Sequence, residues 1–464
     1  MEFPKTQAEK FIRGLNLFPE LDVNIAEEDP AFTASKIVEK GLLFPCLGDP
    51  TCVEYLGHTA GYYRLPHTKS ASYNLHLFFR MFYFFFQSRN NPITDPVVVY
   101  ITGGPGCSTS LALFYENGPF QITDNLSLVW NDFDIFMNDI LRQVSNIIYV
   151  DQTTGTGFSY TSDKADIRTD SQGAAVDFYD FMQAFFEAHP QYARNDFYII
   201  GESYARHYIP AFADRVQRGN NNKEGIHINM KGLAIGSGLT EPEIQYKAYA
   251  DCALSMKLIT QSDYNSLGRL VPQCSSSGPS SACTKAFYDC TGIFNSIVNI
   301  IGRTNFFDIR KKCAGLCYDF SKLENFLNQK SVRQALGVGD IQFVTCNRSV
   351  YDPMKPDWMK NYEVVIPALL ENGVKLLVYA GEYDLVCNWH GNARWVDAMV
   401  WSGQKNFVST PSVPFKVDGV EAGLTKSSEL LTFLKVYNAG HWIPKDQPKA
   451  SIEMIKRWMQ GIPL

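Results

Sequence analysis

Along most of this chain apolar residues come in short unbroken runs, not in alternation with polar ones. Such runs cover residues 81–86, 97–102, 146–150, 196–201, 230–235, 374–380 and 433–437. A strand without a polar face is buried on both sides, so these runs predict the interior strands of a sheet. Helix-compatible segments at 174–188 and 362–371 fall between them. That alternation predicts an α/β fold, with helices on both faces of a mixed, mostly parallel central sheet. The most apolar stretch, LHLFFRMFYFFF at 75–86, is too short and too interrupted by His76 and Arg80 to span a bilayer, and it predicts a buried aromatic strand.

Two regions break the pattern. Residues 1–56 mix short amphipathic pieces with acidic and Pro/Gly-containing turns, which predicts a pro-segment-like arm without strong strands. Residues 240–350 show no clear core strand yet hold seven of the eleven cysteines. They predict a disulfide-rich cap inserted into a core built from 57–239 and 351–464.

Chemistry enters at the strand ends. The run 196–201 leads into Gly201-Glu202-Ser203-Tyr204-Ala205 and then helix-competent sequence, the pattern of a nucleophile elbow. Small flanking residues let strand and helix approach closely while the strained turn exposes the hydroxyl. A Ser in such a turn is more often a helix cap, so the reading needs partners. Gly381-Glu382-Tyr383-Asp384 follows the run 374–380, and Asn438-Ala439-Gly440-His441 follows 433–437. Ser, Asp, His is the chain order of the α/β-hydrolase triad, with Glu382 competing with Asp384 for the acid. Thr102-Gly103-Gly104-Pro105-Gly106-Cys107 follows a further run and offers backbone N–H groups to a developing oxyanion. The phosphate-binding Gly-x-x-x-x-Gly-Lys pattern is absent.

Composition narrows the setting. A net charge of −6, a pI near 5.8 and the lack of any Lys/Arg run argue against nucleic acid as a partner. Eleven cysteines without paired Cys-x-x-Cys spacing predict disulfides in an oxidising compartment and no metal, with at least one thiol left over. The sequons at Asn125 and Asn347 predict glycosylation on a secretory route. The opening Met1-Glu2-Phe3-Pro4 carries no apolar leader, so a leader is expected to have been removed or never included.

Taken in order, TGGPGCS from Thr102, ENGPF from Glu116, DQTTGTGFSY from Asp151, GESYARHYIP from Gly201, YAGEYDLVCNW from Tyr379 and NAGHWIPKDQP from Asn438 resemble the serine carboxypeptidase family. The resemblance spans about residues 57–464 and is nearest to plant type III enzymes and yeast carboxypeptidase Y. It implies Ser203 as nucleophile, His441 as general base, Asp384 as orienting acid, and the amides of Gly104 and Tyr204 as oxyanion donors. It further implies that Gly103, Glu116 and Glu202 grip the C-terminal carboxylate of a peptide or protein, that Cys387 and Trp442 border the substrate, and that no cofactor is needed. Two acids can face a substrate carboxylate only if one is protonated, so acidic pH is expected. The implied disulfides are Cys107–Cys346, Cys252–Cys290, Cys274–Cys283 and Cys313–Cys317, with Cys387 free and Cys46 pairing locally with Cys52.

The activity implied is release of C-terminal residues from peptides through an acyl-enzyme, in a vacuole, lysosome-like or extracellular compartment, with a homodimer as a family expectation. Relatives that use sugar esters as acyl donors, and a silent binding or storage protein, are the alternatives. Departures from the family pattern are Arg206 in place of a Gly, Trp442 in place of a Met, Thr153 in place of a Pro, Lys445 in place of an apolar residue, and extra sequence at 73–80 and 132–143. Trp442 is expected to narrow the leaving-residue pocket, Lys445 to be solvated, and Arg206 to disturb the elbow if it faces packed strand.

Overall fold

The computed structural model describes residues 36–46, 49–65, 79–131, 145–161, 163–270, 280–313 and 317–464. The extra sequence at 132–143, most of that at 73–80, and the expected Cys274–Cys283 and Cys46–Cys52 pairings lie outside what is described.

Fourteen strands are described: β1 Ile37–Cys46, β2 Asp49–Leu65, β3 Phe79–Phe86, β4 Val97–Ile101, β5 Phe120–Ile122, β6 Leu128–Trp130, β7 Asn146–Val150, β8 Tyr160–Thr161, β9 Phe197–Glu202, β10 Met230–Gly236, β11 Lys375–Gly381, β12 Val413–Val417, β13 Val420–Ser428 and β14 Leu431–Val436. The main sheet has the order β1-β2-β3-β7-β4-β9-β10-β11-β14-β13-β12 with β8 beside β3, and β5 and β6 form a separate hairpin. From β7 to β14 neighbouring strands run parallel. Antiparallel ribbons extend the sheet at both sides, β1-β2-β3 at one and β13-β12 at the other.

The unbroken apolar runs are explained by two cores divided by the sheet. Within β4, Val97, Val99 and Ile101 enter one core while Val98 and Tyr100 enter the other. Strand β7 does the same with Ile148 and Val150 against Ile147 and Tyr149. Successive side chains point to opposite faces, so a strand covered on both must be apolar throughout. Helices Ser171–Ala188 and Ala205–Asn222 cover the first face, where Phe178 stacks on Phe212 at 4.3 Å between centroids. Helix Pro448–Gln460 covers the second, with Trp458 against Tyr198.

The region 1–56 differs from expectation in that a ten-residue strand, β1, begins at Ile37 and pairs with β2. As an edge strand with exposed Lys40 and Gly41, it lacks the continuous apolar run of an interior strand. The hairpin β12-β13 lacks that run for the same reason, its outer residues Val413 and Val420 being exposed. Among the described residues no main-sheet strand lies between β10 and β11; helices Pro242–Lys247, Tyr249–Ser255 and Ser280–Ile301 build a third apolar cluster there, including Tyr249, Ile293 and Phe306. Among the described residues no helix is long and apolar enough to cross a membrane.

The chain passes from β4 to β7 on one side of it, then returns to β9 on the other. Such a reversal leaves a crevice at the strands' carboxyl ends. Ile101 pairs with Gly201, so the turns after β4 and β9 leave the sheet level with each other. A methyl group on Gly201 would lie 2.2 Å from the Ile101 carbonyl oxygen and 2.9 Å from the Ala205 Cβ. Gly201→Ala should therefore separate sheet from helix and cost about 3 kcal/mol or more. The check is the thermal midpoint at a fixed scan rate, which should fall by several degrees; an unchanged midpoint would refute the close approach.

Candidate active site

Ser203 follows β9 directly and has φ of +62°, in the left-handed region that a side chain seldom occupies. Its backbone N–H donates to the Gly236 carbonyl at 3.1 Å, which carries the strand ladder one residue into the turn. Holding Ser203 there costs about 1–3 kcal/mol, offset by the packing of β9 and the following helix.

Across from it lies the glycine turn. A Cβ on Gly103 would fall 2.2 Å from the Tyr204 nitrogen and 2.8 Å from the Ser203 Cβ, so the turn's backbone rests against the elbow. Gly104 adopts φ of +116°, which suits glycine. The turn is secured from behind by buried Asp151, which accepts from Ser108 Oγ at 2.6 Å and from the backbone N–H groups of Thr109 and Phe158 at 3.0 Å each. Cys107 is disulfide-bonded to Cys346, tying the turn to distant sequence.

Asp384 and His441 stand at the ends of the neighbouring strands β11 and β14. Asp384 Oδ2 accepts from His441 Nδ1 at 2.8 Å, and Asp384 Oδ1 accepts from the Cys387 N–H at 3.0 Å. The His441 backbone N–H donates to the Phe307 carbonyl at 2.8 Å. Glu382, the competing acid, points elsewhere: it pairs with Lys435 at 3.0 Å and accepts from the Asn438 N–H at 3.2 Å. Burial opposes a charge on His441, but the carboxylate of Asp384 outweighs it and raises the imidazole well above its ordinary pKa. Asp384, Cys387 and His441 also offer ligand atoms within 4.8 Å of one another, but the ion pair already engages two of them.

Glu116 ends the helical turn Ala112–Glu116 and is buried, as is Glu202 beside Ser203. Each carboxyl bears on the ionisation of the other, and Glu116 Oε2 and Glu202 Oε2 are both buried without a hydrogen-bond partner among the described residues. Burial pushes Glu116 up to about 7. Burial, and then the neighbouring Glu116, raise Glu202 further. The Tyr379 hydroxyl donates to Glu202 Oε1 at 3.2 Å.

Ser203 and His441 line one cavity of about 160 Å³ together with Gly103, Gly104, Cys387 and Trp442. Trp442 is wedged among Tyr318, Phe307 and Phe320, with the Tyr318 ring centroid 4.0 Å away. Lys445 is exposed, as read from sequence, but its ammonium also sits 3.0 Å from the centroid of the Tyr115 ring. Arg206 does not face packed strand: it is 2 % exposed and lines the cavity. Tyr204, whose amide faces the glycine turn, donates its hydroxyl to buried Asp357 at 2.9 Å. Asp357 carries no sequence signal, whereas Asp151 opens one of the family-like segments.

Of the implied disulfides, Cys107–Cys346 and Cys313–Cys317 are present. Cys252–Cys290 is a correction: Cys252 is a buried free thiol, turned toward the Met256 sulfur at 3.8 Å on its own helix, and Cys290 is disulfide-bonded without it. Cys387 is free and buried. Asn125 is exposed in the β5-β6 turn. Asn347 instead uses its side chain internally, donating to the Gly155 carbonyl at 2.7 Å and accepting from the Ser349 N–H at 2.9 Å.

A profile described as serine carboxypeptidase matches residues 54–461. The chain belongs to the serine carboxypeptidase family. It is 56 % identical to serine carboxypeptidase-like 48 of Arabidopsis thaliana, over 99 % of this chain and 90 % of that one. It is 54 % identical to serine carboxypeptidase 3 of Oryza sativa subsp. japonica, over the same shares of 99 % and 90 %. Among solved structures, a prohormone-processing carboxypeptidase of Saccharomyces cerevisiae superposes with a TM-score of 0.77 at 25 % identity, covering 87 % of this chain and 91 % of that one. By class the protein is a serine-type carboxypeptidase, a hydrolase with the α/β-hydrolase fold.

If Asp384 orients His441, Asp384→Asn should slow fluorophosphonate labelling of Ser203 by about a thousandfold or more, while Glu382→Gln should leave the rate near that of the unaltered protein. The reverse ranking would move the acid to Glu382.

Proposed function

We propose that this carboxypeptidase releases single residues from peptide C-termini at acidic pH through an acyl-enzyme on Ser203. The observation that carries the proposal is the pair Glu116 and Glu202, both buried beside Ser203, with burial raising Glu116 to about 7 and Glu202 well above its ordinary value, so that both hold a proton on the acidic side. An ionised acid next to a forming oxyanion would oppose catalysis. A protonated pair instead donates a hydrogen bond to a carboxylate, the one group present at every peptide C-terminus.

In this reading Gly103, Glu116 and Glu202 hold the terminal carboxylate, with Trp442 bounding the leaving side chain. His441 takes the Ser203 proton as Oγ adds to the scissile carbonyl carbon, and Asp384 steadies the imidazolium. The tetrahedral oxyanion faces the amides of Gly104 and Tyr204. Collapse breaks the C–N bond, His441 passes its proton to the departing amine, and water repeats the sequence on the ester. The same ion pair raises His441, so falling pH removes the neutral imidazole that accepts the Ser203 proton and limits kcat on the acidic side, against the gain in carboxylate binding there.

The pH dependence has a definite sign. Glu116 is raised to about 7, so its proton is held below that pH and lost above it. Carboxylate binding is thus present on the acidic side and fades as pH rises through that value, where ionised Glu116 meets the substrate's own anion. The bonds Cys107–Cys346 and Cys313–Cys317 support an oxidising, secretory route to a vacuole or the exterior.

Three outcomes follow for N-blocked dipeptides. KM for the free acid should climb above about pH 7, and amidating the C-terminus should cut kcat/KM by about tenfold or more. Glu116→Gln should flatten the alkaline rise in KM. Equal rates on acid and amide would overturn the carboxylate grip, and turnover of a glucose ester in place of peptides would assign the acyltransferase activity instead.

A further inference from the structure

Arg206 is the second residue of helix Ala205–Asn222, three positions past the nucleophile, and is almost wholly buried. A methyl on Gly238 would meet its Cβ at 2.9 Å, so the stem is pressed against the strand-end loop and the guanidinium is carried into the cavity. There it lies 5.2 Å from the Tyr204 ring centroid and 5.0 Å from that of Trp358. Its Nε and Nη2 have no hydrogen-bond partner. After burial, the groups that bear most on its charge are Cys387, Tyr246, Tyr204 and Tyr249, with His207 also near, and none is a carboxylate.

A guanidinium keeps its charge even when buried, and a buried charge without a counter-ion is costly. Two aromatic faces offset part of that cost and fix the plane of the fork. The donors left over point to an anion that arrives from outside. Planar, two-pronged donors match a carboxylate.

The position within the cavity selects which carboxylate. Glu116 lies close enough to Glu202 and His441 for their charges to interact, and Trp442 packs on Tyr115 and Phe320. Arg206 packs on a different set of rings in the cavity wall, Tyr204 and Trp358, with Tyr246, Tyr249 and Cys387 near it. With the terminal carboxylate held by the acid pair, the side chain that reaches Arg206 belongs to the residue on the acyl side of the scissile bond. We infer that Arg206 makes this enzyme select an aspartate or glutamate immediately before the bond it cleaves. The inference rests on the carboxypeptidase reading above for the direction of the bound peptide. A Gly at this position would leave an aromatic and aliphatic pocket, so the substitution reverses the preference from apolar to acidic.

The test compares full-length enzyme with Arg206→Met and Arg206→Gly on benzyloxycarbonyl dipeptides carrying Glu, Gln, Leu or Lys before a common C-terminal Leu. The unaltered enzyme should show kcat/KM for Glu at least about tenfold above Gln, with Lys poorest. Both variants should lose the Glu-over-Gln ratio, and Arg206→Gly should take Leu best. A structural role alone would shift the thermal midpoint and leave that ratio unmoved, which overturns the inference. So does a ratio near one in the unaltered enzyme, or a KM that rises alike for all four peptides in Arg206→Met, since the guanidinium would then be reading the terminal carboxylate.

Failure of the carboxypeptidase reading is separable. If no dipeptide is cleaved, benzyloxycarbonyl-glutamate and benzyloxycarbonyl-glutamine are compared as protectors of Ser203 against fluorophosphonate. Stronger protection by the glutamate, lost in Arg206→Met, upholds the acidic pocket; equal protection removes it.

Discussion

Two backbones in contact at the end of the sheet underlie everything else at this site. The turns after β4 and β9 leave the sheet level with each other, and no Cβ stands between Gly103 and the elbow or between Gly201 and Ile101. That absence brings a row of backbone N–H groups to the side of a serine hydroxyl. It also sets the register for the other partners, because β11 and β14 continue the same parallel ladder and deliver Asp384 and His441 from their own ends. A shift of one residue in any of these pairings would turn the side chains to the opposite face.

Three sets of buried ionisable groups lie near Ser203, and each meets the penalty of burial differently. Asp384 and His441 pair directly at 2.8 Å. Glu116 and Glu202 are both raised by burial, Glu202 also by Glu116, which favours their protonated forms. Arg206 has neither an acid nor a way to lose its proton, and depends on aromatic faces.

Much of this was legible in the sequence because interior parallel strands announce themselves by unbroken apolar runs. The runs at 146–150 and 97–102 became β7 and β4, and the residues just beyond such runs supplied Ser203, Asp384 and His441. Edge strands were not legible: β1 and the β12-β13 hairpin pack one face only, so they lack that signature. Cysteine pairing was legible in part. A thiol on a helix can face along its own turn, as Cys252 does toward Met256, and spacing carries no trace of that choice. Asp357 was silent for a related reason, since its role depends on Ser171, Tyr204 and Tyr362 meeting it from distant sequence. Arg206 stood out as a departure, but whether it pointed into strand or into open space was a matter of packing against Gly238.

The bond between Cys107 and Cys346 spans 239 positions of sequence and fastens the glycine turn to the far end of the region between β10 and β11. During synthesis the N-terminal strands emerge long before Cys346 does, so that turn must wait as an open thiol while the intervening helices are made. His441 comes later still. An emerging chain therefore carries Ser203 well ahead of Asp384 and His441, and a prematurely ended product has the strained turn without the ion pair that stands beside it in the finished fold.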